Sequence, residues 1–177
     1  ELIRKCVKAF NISQLEIEGY EADDIIATYT NLAKQKKIFS LIISSDKDLM
    51  QLVNDYVKML DPIKNKTISV GEVVEKFGVE PNKVIQVQAL MGDKIDNIPG
   101  VPGIGPKTAA ELIKDFGDVE ELIKNYKKIK QEKRQKIIEQ DWKSIKENSR
   151  KTVLAKAHRR DTVVTTGIPP LFQPHTI

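Results

Sequence analysis

The sequence predicts an α/β layer, a partial parallel sheet with flanking helices, followed by an all-helical, basic second part. Three observations carry that prediction. The continuous apolar run "IFSLIIS" at 38–44 follows a stretch of helical periodicity, which suits a strand buried on both faces of a parallel sheet. Two further strand-like runs follow, separated by turn residues. From Pro106 onward the pattern is helical, and the charge balance changes sign.

Each element follows from its local pattern. Leu2, Ile3, Cys6, Val7 and Phe10 recur at helical spacing, so residues 1–10 read as a helix with Cys6 as a buried core thiol. Ala22, Ile25, Ile26, Tyr29, Leu32 and Ala33 repeat that period over 22–36. "YVKML" and "TISV" read as strands around the turn-rich "DPIKNK". Pro81 in "EPNKVIQVQALMG" suits the first turn of a helix ending near Gly92. Later helices break near Gly117 and Lys130. The chain opens at Glu1 inside a helical pattern, and one strongly buried strand precedes the helical half, so an N-terminal portion of the sheet is expected upstream.

Composition narrows the function classes. With 177 residues, 40% of them apolar, the chain can bury a real core. It lacks an apolar run of membrane-spanning length and a charged-then-apolar leader, so a soluble, cytoplasmic protein without membrane contact is expected. A single cysteine excludes an internal disulfide and a cysteine zinc site. Residues 1–106 carry net charge −2 and residues 107–160 carry +7, which suggests a polyanionic partner for the second part.

Seven carboxylates fall in three clusters. Glu21, Asp23 and Asp24 open the helix in "YEADDIIA", where acids also suit the helix dipole, and adjacent helical positions about 100° apart could face two different ions. Asp46 and Asp48 in "LIISSDKDLMQL" leave the carboxyl end of the buried strand, where open α/β sheets place ligands; equally, Asp46 caps a short helix starting near Lys47 and Asp48 is its first-turn acid. Asp93 and Asp96 lie just past a helix end, where the dipole disfavours a carboxylate and a compensating cation is called for. This all-oxygen set suits magnesium or manganese rather than zinc. Two such ions about 4 Å apart can activate a water and clamp a phosphodiester. Crowding Asp24, Asp46, Asp48, Asp93 and Asp96 together should weaken the metal-free fold, so Asp93→Asn is expected to stabilise it.

The run "GDKIDNIPGVPGIGPKTA" holds four of the nine glycines and three of the eight prolines. Gly103 and Gly105 allow close backbone approach, Pro106 presets a helical turn, and Lys107 and Thr108 add a charge and a hydroxyl. That combination suits a DNA phosphate bound without regard to base, where a glycine pair alone would read as a tight connection between helices.

Together "GYEADD", "SSDKDLMQL" and "GDKIDNIPGVPGIGPKTA" resemble the flap endonuclease family, most closely the 5'→3' exonuclease domain at the front of bacterial DNA polymerase I. The resemblance runs from residue 1 to about 125 and fades after it. It implies a PIN-like nuclease core over 1–91 and a helix-hairpin-helix DNA-binding subdomain over 92–160; the remaining tail over 161–177, rich in Thr and Pro, reads from its composition as extended or disordered. It also implies two Mg2+ ions (or Mn2+) and a monovalent cation at the helix-hairpin-helix loop. Glu21 and Asp23 would help hold one divalent ion, with Asp24, Asp46, Asp48, Asp93 and Asp96 around the other. Gly103, Ile104, Gly105, Lys107 and Thr108 match the clamp on duplex DNA bearing a 5' end or 5' flap. Family members begin with an aspartate-bearing strand and a helical arch that this sequence does not contain, so slow cleavage or none is expected of the chain alone. A missing N-terminal segment and a polymerase domain are the implied partners.

Two functions from different classes fit these residues: a structure-specific, metal-dependent 5'→3' exonuclease or flap endonuclease, and a non-catalytic remnant that holds DNA junctions. A glycosylase helix-hairpin-helix module leaves the carboxylates unexplained. Trp142 reads as helix-packing, while His158 and the run "KNYKKIKQEKRQKI" read as solvated basic surface.

Overall fold

The computed structural model describes residues 2–151. Helix α1 (Leu2–Ala9) buries none of its residues, and Cys6 is exposed, because none of the described residues covers the apolar stripe that predicted a core thiol. Helix α2 (Ala22–Gln35) starts at a capping box, in which Glu21 accepts the Asp24 amide and Asp24 accepts the Glu21 amide.

A three-stranded sheet follows in the order β1 (Ser40–Ile43), β2 (Val57–Asp61), β3 (Lys66–Ile68). β1 pairs parallel to β2, with Ser40 opposite Val57 and Ile43 opposite Leu60, and β3 returns antiparallel. The apolar run at 38–44 is covered on one face only. Ile42 is buried, whereas Leu41 and Ile43 are 57% and 65% exposed. Among the described residues β1 forms a sheet edge, beside a groove of about 410 Å³ shared with α2 and lined in part by Ile26, Tyr29, Ala33 and Phe39.

Helix α3 (Val70–Phe77) escaped the sequence reading, although Ser69 and Glu72 form a capping box and Gly78, at φ 73°, closes the helix in the left-handed region. Pro81 opens a 3-10 turn that runs into α4 (Val84–Met91). Then come α5 (Pro106–Phe116), α6 (Val119–Lys124) and α7 (Glu132–Lys151). α4 packs on both α5 and α7, and one apolar core runs from Ile42 and Met59 of the sheet to Ile138 and Ile145 of α7. Trp142 is 39% exposed, with Lys143 and Lys146 each 5.6 Å from its ring, so it sits at the rim of the packed face. Among the described residues no helix is long and apolar enough to cross a membrane. His158 and residues 161–177 lie outside the described residues.

Candidate metal centre and glycine loop

Asp48, Asp93 and Asp96 each direct a carboxylate oxygen to within 4.8 Å of the others, although they come from two distant parts of the chain. Asp48 is placed by the 3-10 helix Lys47–Leu52 that follows β1. Asp46 caps that helix, accepting the Asp48 amide at 2.9 Å, so the capping role and proximity to the cluster coexist. Asp93 and Asp96 lie in a loop pinned by reciprocal backbone bonds, Asp93 N–H to the Ile98 carbonyl at 2.9 Å and Ile98 N–H to the Asp93 carbonyl at 2.8 Å.

This loop is held by backbone-to-backbone contact. Gly92 adopts φ 77°, and a Cβ there would lie 2.6 Å from the Gly100 Cα. Val101 N–H donates to the Leu90 carbonyl at 2.8 Å. Asn148, buried on α7, donates to the Pro99 carbonyl at 2.5 Å and the Ala89 carbonyl at 3.2 Å. Nothing in the local sequence marks Asn148 except that it is polar on a buried helix stripe.

Two more side chains complete the group. Lys47 forms an ion pair with Asp93, whose side chain is only 3% exposed. Lys47 is thus the compensating cation that the misplaced Asp93 required. Gln88, buried on α4, donates from Nε2 to Asp48 Oδ1 at 2.6 Å. Its place four residues after Val84 and three before Met91, on an otherwise apolar helix stripe, is the signal that could have found it.

The electrostatics differ within the cluster. Burial pushes the Asp93 carboxyl up, but Lys47 and the Ile95 and Asp96 amides more than reverse this, leaving it below the usual carboxylate range. For Lys47 burial pulls down, and Asp93, Asp48 and Asp96 outweigh it, holding the ammonium above its ordinary value. Asp48 is pushed up to about 6, chiefly by burial; the Gln88 hydrogen bond opposes this, and Asp96 and Asp46 reinforce it. Burial raises Asp23 too, and repulsion from Asp46, Glu21, Asp24 and Asp96 adds to it, so the three sequence clusters sense one another. Glu21, Asp23, Asp24 and Asp46 stand outside the tight group of three, and Glu21 and Asp24 are engaged in the α2 cap. Asp93→Asn would therefore remove a favourable pair, which reverses the effect expected from crowding alone.

Ten residues beyond Asp93 the chain turns through Gly103, at φ 77°, into Gly105, the uncapped start of α5. Val101 and Ile104 are buried and anchor the loop, while Gly103, Gly105 and Lys107 are exposed and Thr108 is half-buried. The side chain of Ile104 thus faces the core. A Cβ on Gly105 would meet nothing within 4 Å, leaving open space in front of the helix start.

A family model described as the 5'-3' exonuclease N-terminal resolvase-like domain matches residues 1–78, and one described as the 5'-3' exonuclease C-terminal SAM fold matches residues 79–161. The chain belongs to the 5'-3' exonuclease family. The two parts meet at Gly78, the left-handed cap of α3. DNA polymerase I of Rhizobium leguminosarum is 52% identical over 137 residues, which cover 77% of this chain and 14% of the polymerase. The 5'-3' exonuclease of Aquifex aeolicus is 44% identical over 131 residues, 74% of this chain and 45% of that protein. The chain therefore spans less than half the length of either relative. A bacteriophage T5 flap endonuclease, solved as a pseudo-enzyme-product complex with DNA and metal ions, superposes with TM-score 0.76 and 25% identity over 86% of this chain and 56% of its own. In 5'-3' exonuclease terms, the carboxylate group sits where the two parts join: Asp48 comes from the first and Asp93 and Asp96 from the second.

Proposed function

We propose that this chain is the part of a structure-specific 5'→3' exonuclease or flap endonuclease that holds divalent metal beside duplex DNA. The convergence of Asp48, Asp93 and Asp96 within 4.8 Å carries this reading. A protein that only gripped duplex would have no use for three carboxylates there, since they repel phosphate. The donors are all hard oxygens, which fits Mg2+ or Mn2+. Asp48, Asp93 and Asp96 would hold one ion, with Glu21, Asp23, Asp24 and Asp46 serving a second or contacting either through water. Bound there, the metal would supply charge neutralisation and an activated water for phosphodiester hydrolysis.

The chain's own groups supply binding and orientation. The free amides at the start of α5 and the Lys107 ammonium would take phosphate oxygens, and the open space before Gly105 admits a backbone. Gly103, Ile104 and Thr108 shape that loop, at which a monovalent cation could also sit. Gln88 holds Asp48 by hydrogen bond, and the 92–101 loop fixes Asp93 and Asp96. DNA with a 5' end or flap would then run from the loop toward the carboxylates. Such a substrate would place the protein in the cytoplasm, working with a polymerase domain and with further nuclease sequence.

Duplex binding is expected to depend on junction shape rather than base sequence and to fall steeply with salt. Gly105 has an extended backbone (φ −89°) and no neighbour in the way, so Gly105→Val should fold normally and lower the melting temperature only slightly, through the poorer helix cap that valine makes. The same variant should weaken binding to a 5'-flap duplex by about tenfold or more, because its side chain fills the phosphate approach. Fluorescence anisotropy across a salt series measures this. Equal affinity for wild type and Gly105→Val, or strong preference for one base sequence at constant shape, would remove the loop from the interface.

A further inference from the structure

Lys47 occupies an unusual place for a cation. It is the first residue of the 3-10 helix after β1, flanked by Asp46 and Asp48, and its ammonium pairs with a carboxylate from the loop beyond α4. The two partners are not equally fixed. Asp93 is 3% exposed and its Oδ1 accepts the Ile95 amide at 3.0 Å, whereas the Lys47 side chain is 28% exposed. The oxygen facing Lys47 is Oδ2, which the Ile95 amide leaves unused. One partner is locked into the loop; the other is a flexible, strongly hydrated point charge with a way out to solvent.

We propose that Lys47 is an exchangeable counter-ion of this carboxylate group: it holds Asp93 in the metal-free chain and leaves Asp93 when a divalent cation enters. This rests on the metal-centre reading above. Three carboxylates within 4.8 Å would repel one another strongly with no cation among them, and Lys47 relieves that repulsion in advance of metal. A divalent ion taking the same oxygen would stand next to the ammonium, and the repulsion between the two positive charges, little screened beside a buried carboxylate, favours release of the lysine to solvent. The lysine thus preserves the geometry of Asp93 while competing with the ion, setting affinity lower than the bare carboxylates would give.

The test is a magnesium chloride titration of wild type and Lys47→Met at matched ionic strength, followed by calorimetry and thermal melting, with lysine 15Nζ NMR of wild type alongside. Lys47→Met is expected to melt lower without metal, to bind Mg2+ about tenfold more tightly, and to show a larger magnesium increment in melting temperature. In wild type, the Lys47 ammonium signal should be protected from exchange without metal and should become that of a solvated lysine as Mg2+ saturates. A variant that melts lower but binds Mg2+ with unchanged affinity would show Lys47 to be only structural and overturn the exchange. So would an ammonium signal that stays protected with Mg2+ bound, a measurement that needs no variant to fold. If wild type binds neither Mg2+ nor Mn2+, the metal-centre reading falls and takes this inference with it; failure confined to the lysine leaves that reading standing.

Discussion

Gly100→Ala is expected to lower the melting temperature by roughly 6–12 °C, from a destabilisation of about 3 kcal/mol or more. A Cβ at Gly100 would lie 2.6 Å from the Met91 carbonyl carbon, and closer still to its oxygen. Those atoms belong to the last turn of α4 and cannot swing aside as a side-chain tip would. Gly92→Ala should be at least as severe, because it adds strain at φ 77° to a clash with the Gly100 backbone. Both variants displace the residue beside Asp93, so divalent binding should disappear at temperatures where the chain is still folded. Gly71→Ala is the control: it lies in α3 with nothing within 4 Å of a new Cβ, and should leave stability unchanged or slightly raised. Melting curves of the three variants decide it. A Gly100→Ala protein that melts like wild type would mean that the two backbones are not in contact in solution.

Asp93→Asn and Asp48→Asn are expected to move metal-free stability in opposite directions at pH 7. Asp93 is buried and paired with Lys47, so neutralising it strands a half-buried ammonium and should destabilise by about 3 kcal/mol. Asp48 is held in its charged form against burial and the repulsion of Asp96, so Asp48→Asn should stabilise the metal-free chain. The pH dependence fixes the sign. Asp48 titrates near 3.8 when unfolded and at about 6 when folded, so the folded state binds more protons between those values. Its unfavourable contribution is complete above about pH 6 and fades as pH falls toward 4. The benefit of Asp48→Asn should fade over the same window. Asp93, held below its ordinary value, stabilises above that value and loses this contribution only as pH drops through its lowered folded pKa. Chemical denaturation at pH 7.5, 6 and 4.5 separates the two. Stabilisation by both variants at pH 7.5 would mean that repulsion dominates the cluster and that Lys47 does not engage Asp93.

That contrast marks what the sequence could convey. The acidic opening of α2, the capping role of Asp46, the strands at β1 and β2, the turn that Pro81 opens and the helix start at Pro106 depend on neighbours in the chain, and each was legible from local pattern. Asp48, Asp93 and Asp96 were among the seven carboxylates the sequence offered, but nothing in it separated these three from Asp24 and Asp46, which stand outside the tight group. The missed partners, Lys47 to Asp93, Gln88 to Asp48 and Asn148 to Pro99, each join residues at least 40 positions apart, where periodicity is silent. Without Lys47 the cluster looks purely repulsive, which gives Asp93→Asn the wrong sign. α3 was hidden for a different reason. "TISV" favours a strand, and its last two residues are the cap and first position of a helix. The continuous apolar run at β1 specified a strand but not which of its faces would be covered.

The tie from Asn148 to the Pro99 and Ala89 carbonyls has a consequence in time. Irregular loops ordinarily open far more often than the helices beside them, and their amides exchange with solvent accordingly. Here the Asp93, Ile98 and Val101 amides are closed by backbone partners, and a helix near the end of the described chain holds the carbonyl between them. Deuterium uptake at these three amides is expected to be as slow as within α4, while α1, which buries nothing, exchanges quickly. Asn148→Ala should speed the loop amides before those of α4. A segment without regular secondary structure would then keep the slow clock of the core, and Asp93 and Asp96 would hold their positions as long as the helices beside them do.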